Sequence, residues 1–586
     1  MPMVQNKISE KMIRCIIIGA GISGILMGIK LKQEFGNKVE FWIFEKNDDV
    51  GGTWYENRYP GCGCDVPSHI YQFSFCPNPY WSSFYASAAE IKSYLKAVTC
   101  HYGIDKRISF RASVNQAIWN EDQSTWTVSV SNQGDFECEI LVNACGILNA
   151  VQYPSLKGLE SFRGPLLHTA SWTEDVDLSG KKVAVIGAGA SAIQMLPVIA
   201  HKLQRCDVYI RTPSWITPPF GTTRSGNFPY TEEDKQKFRD DPDYSLSARK
   251  SMETEFNKMY AAFIKNSDEQ STLRNSLERN MKTLIRNPDL HDKLIPKFDV
   301  GCRRINPGEA YLETLQNSNV HPIFEPIQAV TADGITVGGQ LREVDVIIVA
   351  TGFDTSFKPR FPIIGTGKRN LRDLWSESPV SYCGIGVSGF PNYLTFLGPN
   401  TPISNGSLLG TLEATADFFM RLIHKLIREQ AQSFDVRPEA QTDFDEHTQN
   451  LMKHMVWTGP CRSWYKDDDG KVRALWPGSS LHYREILESN RWEDYHWRYK
   501  SNRFAYWGQG YSATEVSNTE GNRDLAYYFQ KHSPLPLEAY YAASRGLQRS
   551  SEVAVDFRPR TQRYRSTVID DKDDGDLSAS SSIVAI

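Results

Sequence analysis

Two stretches of the sequence repeat one pattern, in which a short apolar run leads into a glycine-rich turn and then into residues with helical spacing. The turns lie at residues 19–24 and 187–192. In such a unit the first glycine permits a tight turn, the second lets the backbone approach a pyrophosphate, and the third lets helix and strand pack closely; alanine, as at Ala192, is an accepted third residue. Because the helix N-terminus then faces a phosphate, the repeat predicts two dinucleotide sites.

The residue that follows the next strand differs between the two units. Residues 39–44 form a buried run that ends at Glu45, whose carboxylate can accept hydrogen bonds from ribose hydroxyls and would repel a 2′-phosphate. Residues 207–210 end instead at Arg211 and Thr212, and a guanidinium can bind a 2′-phosphate with two parallel hydrogen bonds. The first site is therefore predicted to bind FAD or NAD, and the second NADPH.

These patterns predict an α/β fold with two Rossmann-like dinucleotide-binding domains. We expect the first part of the FAD-binding domain at residues 1–150 and the NADP-binding domain at 151–345, with a helical insertion at about 231–298. A strand ending in Ala-Thr-Gly near residue 350 repeats the ending of the strand at 140–146, so the chain is expected to return to the FAD-binding domain over 346–545. Helical spacing also marks residues 86–101 and 414–428. The Ser- and Asp-rich end, 546–586, is predicted to be disordered.

Composition excludes several classes of function. The 586 residues include 65 Lys and Arg against 69 Asp and Glu, so no basic field favours nucleic acid. The 11 cysteines are scattered and odd in number, which favours a reduced, intracellular protein. The sequence shows no secretory leader and no long uninterrupted apolar run, so we expect a cytoplasmic protein without a membrane span. No metal site is predicted, because Cys62 and Cys64 are too close for a usual zinc pair and the acidic run at 467–469 lacks the rest of a calcium loop.

Three further stretches are candidate functional segments because the same chain carries these two dinucleotide units. Residues 51–65 are rich in glycine and aromatic residues and too irregular for a helix or strand, and long irregular segments are usually functional. Residues 162–172 connect the two units. Arg303 and Arg304 follow a probable turn, although adjacent arginines are most often surface ion-pair donors.

Together these stretches resemble the type I Baeyer–Villiger monooxygenases, a group of class B flavoprotein monooxygenases. The resemblance extends over about residues 13–529. The family fingerprint F-x-G-x-x-x-H-x-x-x-W is met by Phe162, Gly164, His168 and Trp172. Thr173 then stands where the family usually has Pro or Asp. Residues 51–65 match the family's G-G-x-W string with its aromatic-Pro-Gly and Asp, and residues 350–354 also match.

The resemblance implies roles for individual residues. Arg304 corresponds to the family's active-site arginine, which stabilises negative charge on oxygen, and Asp65 corresponds to the carboxylate that positions it. Arg303 stands where the family usually has Lys, next to the 2′-phosphate. Trp464 corresponds to a tryptophan that lies near the nicotinamide in the family. His168 is expected to couple domain motion without touching substrate. The full set expected to bind cofactors is Gly19, Gly21, Gly24, Glu45, Thr53, Trp54, Asp65, Tyr71, Gly187, Gly189, Ser191, Gln194, Arg211, Thr212, Arg303 and Trp464.

The implied activity is insertion of one oxygen atom from dioxygen next to a ketone carbonyl, giving an ester or lactone with NADPH as reductant. The small-molecule ketone and dioxygen are the expected partners, and the sequence does not predict an oligomeric state. The strings at 461–465 and 475–479 resemble fungal members that act on polyketide or terpenoid intermediates of secondary metabolism. Two alternatives remain: oxygenation of sulfur or nitrogen by the same cofactors, and a flavin-binding scaffold without turnover.

Overall fold

The computed structural model describes residues 12–546 except 223, 225, 402, 403 and 519. It divides the chain into two units, one that extends to Tyr506 and one that starts at Trp507. The described helices of the second unit are Ala513–Val516 (α14) and Leu537–Gly546 (α15). The tail predicted to be disordered lies, from residue 547 onward, outside the described residues.

A five-stranded parallel sheet carries the first glycine-rich turn. In the spatial order β19-β7-β1-β2-β3, its strands are Tyr393–Thr395 (β19), Ile140–Asn143 (β7), Ile13–Ile18 (β1), Val39–Phe44 (β2) and Ile108–Ser109 (β3). The strand β1 is almost wholly buried because both faces of the sheet are covered, which explains its unbroken apolar run. On one face lie the helices Ile22–Phe35 (α1) and Leu408–Arg428 (α11), in the same apolar cluster.

An antiparallel layer covers the opposite face of this sheet. It consists of Val114–Asn120 (β4), Thr125–Val130 (β5) and Gly134–Cys138 (β6), with Ile363–Ile364 (β18) pairing in parallel with β4. The apolar cluster between the layers includes Ile16, Trp126 and Tyr393. The first sheet is therefore enclosed between helices and a second layer of strands, and only its ends are open to a ligand.

A second five-stranded parallel sheet carries the second glycine-rich turn. In the order β13-β10-β9-β17-β8, its strands are Val320–Ile323 (β13), Arg205–Tyr209 (β10), Lys182–Ile186 (β9), Val346–Val349 (β17) and Leu166–His168 (β8). The strand β17 was expected to open the returning part of the FAD-binding domain, but it pairs with β9 and β8. The boundary predicted at residue 346 is therefore too early, because β17 is a central strand of the second sheet.

Short sheets complete the strand inventory. They comprise Ala329–Thr331 (β14), Gly334–Val337 (β15) and Gln340–Glu343 (β16); Ile216–Thr217 (β11) with Asn306–Pro307 (β12); and Ala431–Val436 (β20) with Tyr495–Tyr499 (β21). The parallel pair β11 and β12 brings the segment after Arg211 next to the segment after Arg304. This pairing holds both arginine-bearing segments near the second glycine-rich turn, where the Ser214 hydroxyl donates to the carbonyl oxygen of Ala188.

Helices fill the predicted insertion and flank the sheets. They are Thr53–Glu56 (α2), Ala88–His101 (α3), Ala190–Ile199 (α4), Glu232–Asp240 (α5), Pro242–Lys258 (α6), Asp268–Leu284 (α7), His291–Leu294 (α8), Glu309–Thr314 (α9), Leu371–Glu377 (α10), Pro438–Met452 (α12) and Ser480–Leu487 (α13). Local sequence sets several of their ends: Thr231 and Asp234 form a capping box at α5, and Pro242 opens α6. Within the described part of the chain, every helix is too short or too polar to span a bilayer.

One disulfide contradicts the expectation of a fully reduced protein. Cys302 and Cys461 are bonded, with their Cα atoms 6.2 Å apart, and the nine other cysteines are free. The two partners are separated by 159 residues. Because cysteine spacing cannot show which distant residues meet in the fold, this pair could not be predicted from the sequence.

Candidate active site

The first glycine-rich turn leaves no room for side chains at two of its three glycines. Gly19 has φ +104°, and a Cβ there would lie 2.7 Å from the carbonyl oxygen of Ala144. At Gly24 a Cβ would lie 1.9 Å from the carbonyl oxygen of Gly19. These contacts require glycine for the tight turn and for the close approach of α1, as the sequence predicts for a pyrophosphate-binding turn.

Glu45 lies beneath this turn, at the end of β2. Its Oε2 accepts a hydrogen bond from the backbone N–H of Ala20 at 2.7 Å, and its Oε1 accepts one from Asn47 N–H at 2.8 Å. The residue is only 4% exposed. The carboxylate thus fixes the turn, and each oxygen keeps lone-pair capacity for a ribose hydroxyl.

The loop at 51–65 lies against the same turn. The N–H of Gly51 donates to the carbonyl oxygen of Ala20 at 3.1 Å, and a Cβ at Gly21 would lie 3.6 Å from the Cα of Gly52. Thr53 then begins α2. The next residue, Trp54, packs edge to face on Tyr71 with ring centroids 5.5 Å apart. The predicted residues Thr53, Trp54 and Tyr71 therefore gather beside the first turn.

Asp65 and Arg304 meet, although they are 239 residues apart in sequence. Arg304 donates from Nε to Asp65 Oδ2 at 2.8 Å and from Nη2 to Oδ1 at 2.7 Å. The Asp65 carboxylate raises the pKa of Arg304 further above its ordinary value. The arginine side chain is 39% exposed. This geometry presents a permanent positive charge whose orientation is fixed by a two-point contact.

Tyr465 lies within electrostatic reach of this pair and was not among the residues expected to form the site. The residue is 4% exposed, and burial raises the pKa of its phenol to about 12, with Arg304 and Asp65 acting on it in opposite directions. Its ring lies 4.9 Å from that of the predicted Trp464. The Ser-Trp-Tyr string at 463–465 was the available signal, but nothing in a sequence shows that the tyrosine is buried near the arginine.

The second glycine-rich turn is tight at one glycine and open at the other. Gly187 has φ +126°, and a Cβ there would lie 2.4 Å from the carbonyl oxygen of Ala350. A Cβ at Gly189 would meet no atom within 4 Å. Gly189 also caps α4 without any side-chain hydrogen bond, and Ser191 lies in the first turn of that helix. The free N–H groups at this helix start suit the pyrophosphate of a second dinucleotide.

The predicted phosphate-binding residues lie together after β10. Arg303 donates from Nη1 to the carbonyl oxygens of Thr212 and Pro213 at 3.2 and 3.3 Å. Burial lowers the pKa of Arg303, and the positive charge of Arg211 lowers it further. Two guanidiniums gathered at one place favour an anion as their common ligand.

Gln194, one of the residues expected to bind a cofactor, directs its side chain to the loop at 51–65. Its Oε1 accepts a hydrogen bond from the hydroxyl of Tyr59 at 2.7 Å, and its Nε2 donates to the carbonyl oxygen of Gly63 at 2.9 Å. Both ends of the amide therefore bind the loop at 51–65. The observed contact of Gln194 joins the two dinucleotide units.

The fingerprint residues between the two dinucleotide units contact residues in or beside the second sheet. A Cβ at Gly164 would lie 2.3 Å from the carbonyl oxygen of Asp345 and 2.7 Å from the ring of Phe162. His168 has no exposed surface; its Nδ1 accepts a hydrogen bond from the N–H of Ala170 at 3.0 Å, and burial lowers its pKa. The imidazole is therefore enclosed and held by a local contact at the end of β8.

The fold and the site define a class of protein. Two parallel sheets each present a glycine-rich turn at the start of a helix, one above a buried carboxylate and the other beside arginines. The Arg304–Asp65 pair places a fixed cation beside them. This combination is that of an oxidoreductase with two dinucleotide cofactors.

Comparisons with known proteins identify the family. Residues 17–88 match the model of an NAD(P)-binding Rossmann-like domain. The FAD-binding monooxygenase tazF of Aspergillus terreus is 40% identical over 535 residues, which cover 89% of this chain and 95% of that protein. A Baeyer-Villiger monooxygenase of Pseudomonas aeruginosa is 35% identical over 82% of this chain and 90% of that protein. The crystal structure of OTEMO in complex with FAD and NADP matches with a TM-score of 0.74 at 26% identity, over 83% of this chain and 99% of that one.

The chain therefore belongs to the flavin-dependent Baeyer–Villiger monooxygenases, and it is an enzyme that uses FAD and NADPH. This confirms the family, the fold class and the cofactors expected from the sequence.

Proposed function

We propose that the protein converts a polyketide or terpenoid ketone of fungal secondary metabolism into an ester or lactone. The family fixes the reaction type, and the similarity to the Aspergillus terreus monooxygenase along nearly its whole length supports a fungal setting. The observation that supports the oxygen-inserting role most directly is the contact between Arg304 and Asp65, at 2.7 and 2.8 Å.

Arg304 is proposed to stabilise the negative charge that develops on oxygen during the reaction. Preorganised donors aimed at such a charge often supply the largest part of catalysis. Asp65 occupies Nε and one N–H of Nη2, and the other guanidinium N–H groups have no hydrogen bond to a residue within the described part of the chain. An arginine also suits this task because it does not give up its proton to a basic oxygen anion.

The residues around the two turns fit the two cofactors. When bound, FAD and NADPH supply hydride transfer and the activation of dioxygen, which protein side chains do not provide. The turn at Gly19 with the carboxylate of Glu45 is proposed to hold FAD, and the uncapped start of α4 to hold the pyrophosphate of NADPH. Arg211, Thr212 and Arg303 would hold its 2′-phosphate.

Tyr465 is proposed to act in its protonated form. Since burial raises the pKa of its phenol to about 12, the hydroxyl remains a hydrogen-bond donor throughout the neutral range.

Product analysis tests the proposal. The FAD-loaded protein is given NADPH, dioxygen and a panel of ketones that includes aromatic polyketides, terpenoid ketones and one ketone that also bears a thioether. We expect products heavier by one oxygen atom, located by NMR between the carbonyl carbon and a neighbouring carbon. Exclusive formation of the sulfoxide from the thioether ketone would instead favour heteroatom oxygenation. Cofactor binding without NADPH consumption would indicate a scaffold.

Comparing metabolites tests the biological setting. Extracts of the native host with and without the gene are compared by mass spectrometry. We expect a ketone to persist in the deletion strain and to be converted by the purified enzyme. An unchanged profile of secondary metabolites would contradict this part of the proposal.

A further inference from the structure

A third arginine lies next to the two that are expected to bind the phosphate of NADPH. Burial lowers the pKa of Arg211, and the positive charge of Arg462 is the second cause of that shift. The positive charge of Arg211 in turn lowers the pKa of Arg303. The three guanidiniums are thus within electrostatic reach of one another in the order 303, 211, 462.

The disulfide explains how Arg462 comes to this place. Cys302 immediately precedes Arg303, and Cys461 immediately precedes Arg462. The bonded cysteines have Cα atoms 6.2 Å apart, and each next Cα is about 3.8 Å further along its chain, so the Cα atoms of the two arginines lie within about 14 Å. Cys302 is fully buried and Cys461 is 5% exposed, whereas Arg462 is exposed. The bond therefore anchors two segments in the core, one followed by the half-buried Arg303 and the other by the exposed Arg462.

Among the described residues, the three arginines have no carboxylate partner. Arg303 donates only to the backbone carbonyl oxygens of Thr212 and Pro213. Arg211 and Arg462 form no ion pair or side-chain hydrogen bond with any residue that the structure describes. Like charges held close together repel, and an anion bound among them would relieve that repulsion. A phosphate monoester carries three strong acceptor oxygens and a charge of about −1.5 to −2 near neutral pH, so it offers an oxygen to each of three guanidiniums.

We propose that Arg462 is a third phosphate-binding arginine, held beside Arg211 and Arg303 by the Cys302–Cys461 disulfide, and that it strengthens selection of NADPH over NADH. This inference rests on the proposed binding of NADPH at the second glycine-rich turn. It assigns the disulfide to cofactor recognition, in addition to its contribution to the stability of the fold.

Equilibrium binding tests the role of Arg462. The dissociation constants of NADP⁺ and NAD⁺ are measured by titration calorimetry on the FAD-loaded, full-length enzyme and on its Arg462→Gln variant. We expect NADP⁺ to bind about tenfold more weakly and NAD⁺ to change by less than about twofold, because only the former has the phosphate. The loss should shrink as salt is raised. Arg372→Gln, at an exposed arginine of α10, is the matched control and should change neither constant.

The outcomes separate this inference from the proposed function. The role of Arg462 is refuted if the original enzyme prefers NADP⁺ and Arg462→Gln keeps the whole of that preference. It is also refuted if Arg462→Gln weakens the binding of NADP⁺ and NAD⁺ equally. If the original enzyme binds both ligands equally, the NADPH site of the proposed function fails as well.

A second variant tests the disulfide. Cys461→Ser should weaken NADP⁺ binding about as much as Arg462→Gln, and the double variant should be no weaker than either single one, because both changes remove the same contact. Thiol counting by alkylation under denaturing conditions confirms that the bond is absent. If Cys461→Ser does not fold, the same titrations are made on the original enzyme and on Arg462→Gln after mild reduction. If folded protein with a demonstrably broken disulfide binds NADP⁺ as tightly as before, the role of the disulfide is overturned.

Discussion

Replacing Arg304 by alanine is expected to separate flavin reduction from oxygen insertion. The guanidinium makes two hydrogen bonds to Asp65, at 2.7 and 2.8 Å, so its position is well defined, and its remaining N–H groups are directed by that contact. Loss of one such preorganised donor costs about 10²–10³ in rate, or about 2.7–4 kcal/mol. We therefore expect ester formation to fall at least about a hundredfold.

The same change should have a modest effect on stability. Removing the arginine leaves Asp65 without its counter-ion, and the side chain of Asp65 is 18% exposed. Water reaches the carboxylate in part, so we expect the free energy of unfolding to fall by about 1–3 kcal/mol. The variant should stay folded and keep its FAD.

Two measurements check this prediction. Anaerobic stopped-flow mixing with NADPH follows the loss of oxidised-flavin absorbance, and aerobic turnover follows ester and hydrogen peroxide. We expect reduction close to the original rate, with NADPH consumption now appearing as peroxide. Arg304→Lys keeps a charge but loses the two-point contact, so it should recover only part of the ester yield. Reduction abolished together with ester formation, or ester formation retained, would refute the reasoning.

Three further predictions follow from single sites. Arg211→Ala should raise the dissociation constant of NADPH more than that of NADH; equal effects would contradict its role. Gly189→Ala should leave the melting temperature unchanged yet weaken the binding of NADP⁺, since a Cβ there meets no protein atom. Gly24→Ala should lose both bound FAD and stability, because its Cβ would lie 1.9 Å from a carbonyl oxygen. Calorimetry on both variants compares these effects. Burial lowers the pKa of His69 to about 3, below that of the unfolded chain, so stability is lost as pH falls below about 6.5. His69→Gln should reduce that loss by about 2–3 kcal/mol between pH 6.5 and about 4.5 in denaturation curves, and parallel curves would refute it.

Local patterns predicted what local physics decides. The turns at Gly19 and Gly187 follow from backbone conformations that favour glycine, and the structure shows both at positive φ beside a carbonyl oxygen. The helix expected at 86–101 is α3, Ala88–His101, because Ser87 accepts a hydrogen bond from Glu90 N–H and caps it. The helix expected at 414–428 starts earlier, at Leu408.

Contacts between distant residues could not be predicted in this way. The pairing of Asp65 with Arg304 was expected only from the resemblance to a family, and no periodicity or spacing in the chain shows it. The disulfide between Cys302 and Cys461 and the burial of Tyr465 beside Arg304 went unpredicted for the same reason. Each of these contacts depends on how distant segments pack together, and a single sequence does not show which residues meet in that packing.

The amide of Gln194 has a consequence for how the two cofactors influence each other. It joins α4, which starts at the second turn, to the loop at 51–65, which lies over the first, and a Cβ at Gly61 would lie 2.5 Å from the carbonyl oxygen of Gln194. These contacts connect helix and loop, so we expect a nucleotide that orders the helix to order the loop as well. Thermodynamic linkage would make this effect mutual: a factor by which NADPH raises the affinity for FAD is the factor by which FAD raises the affinity for NADPH.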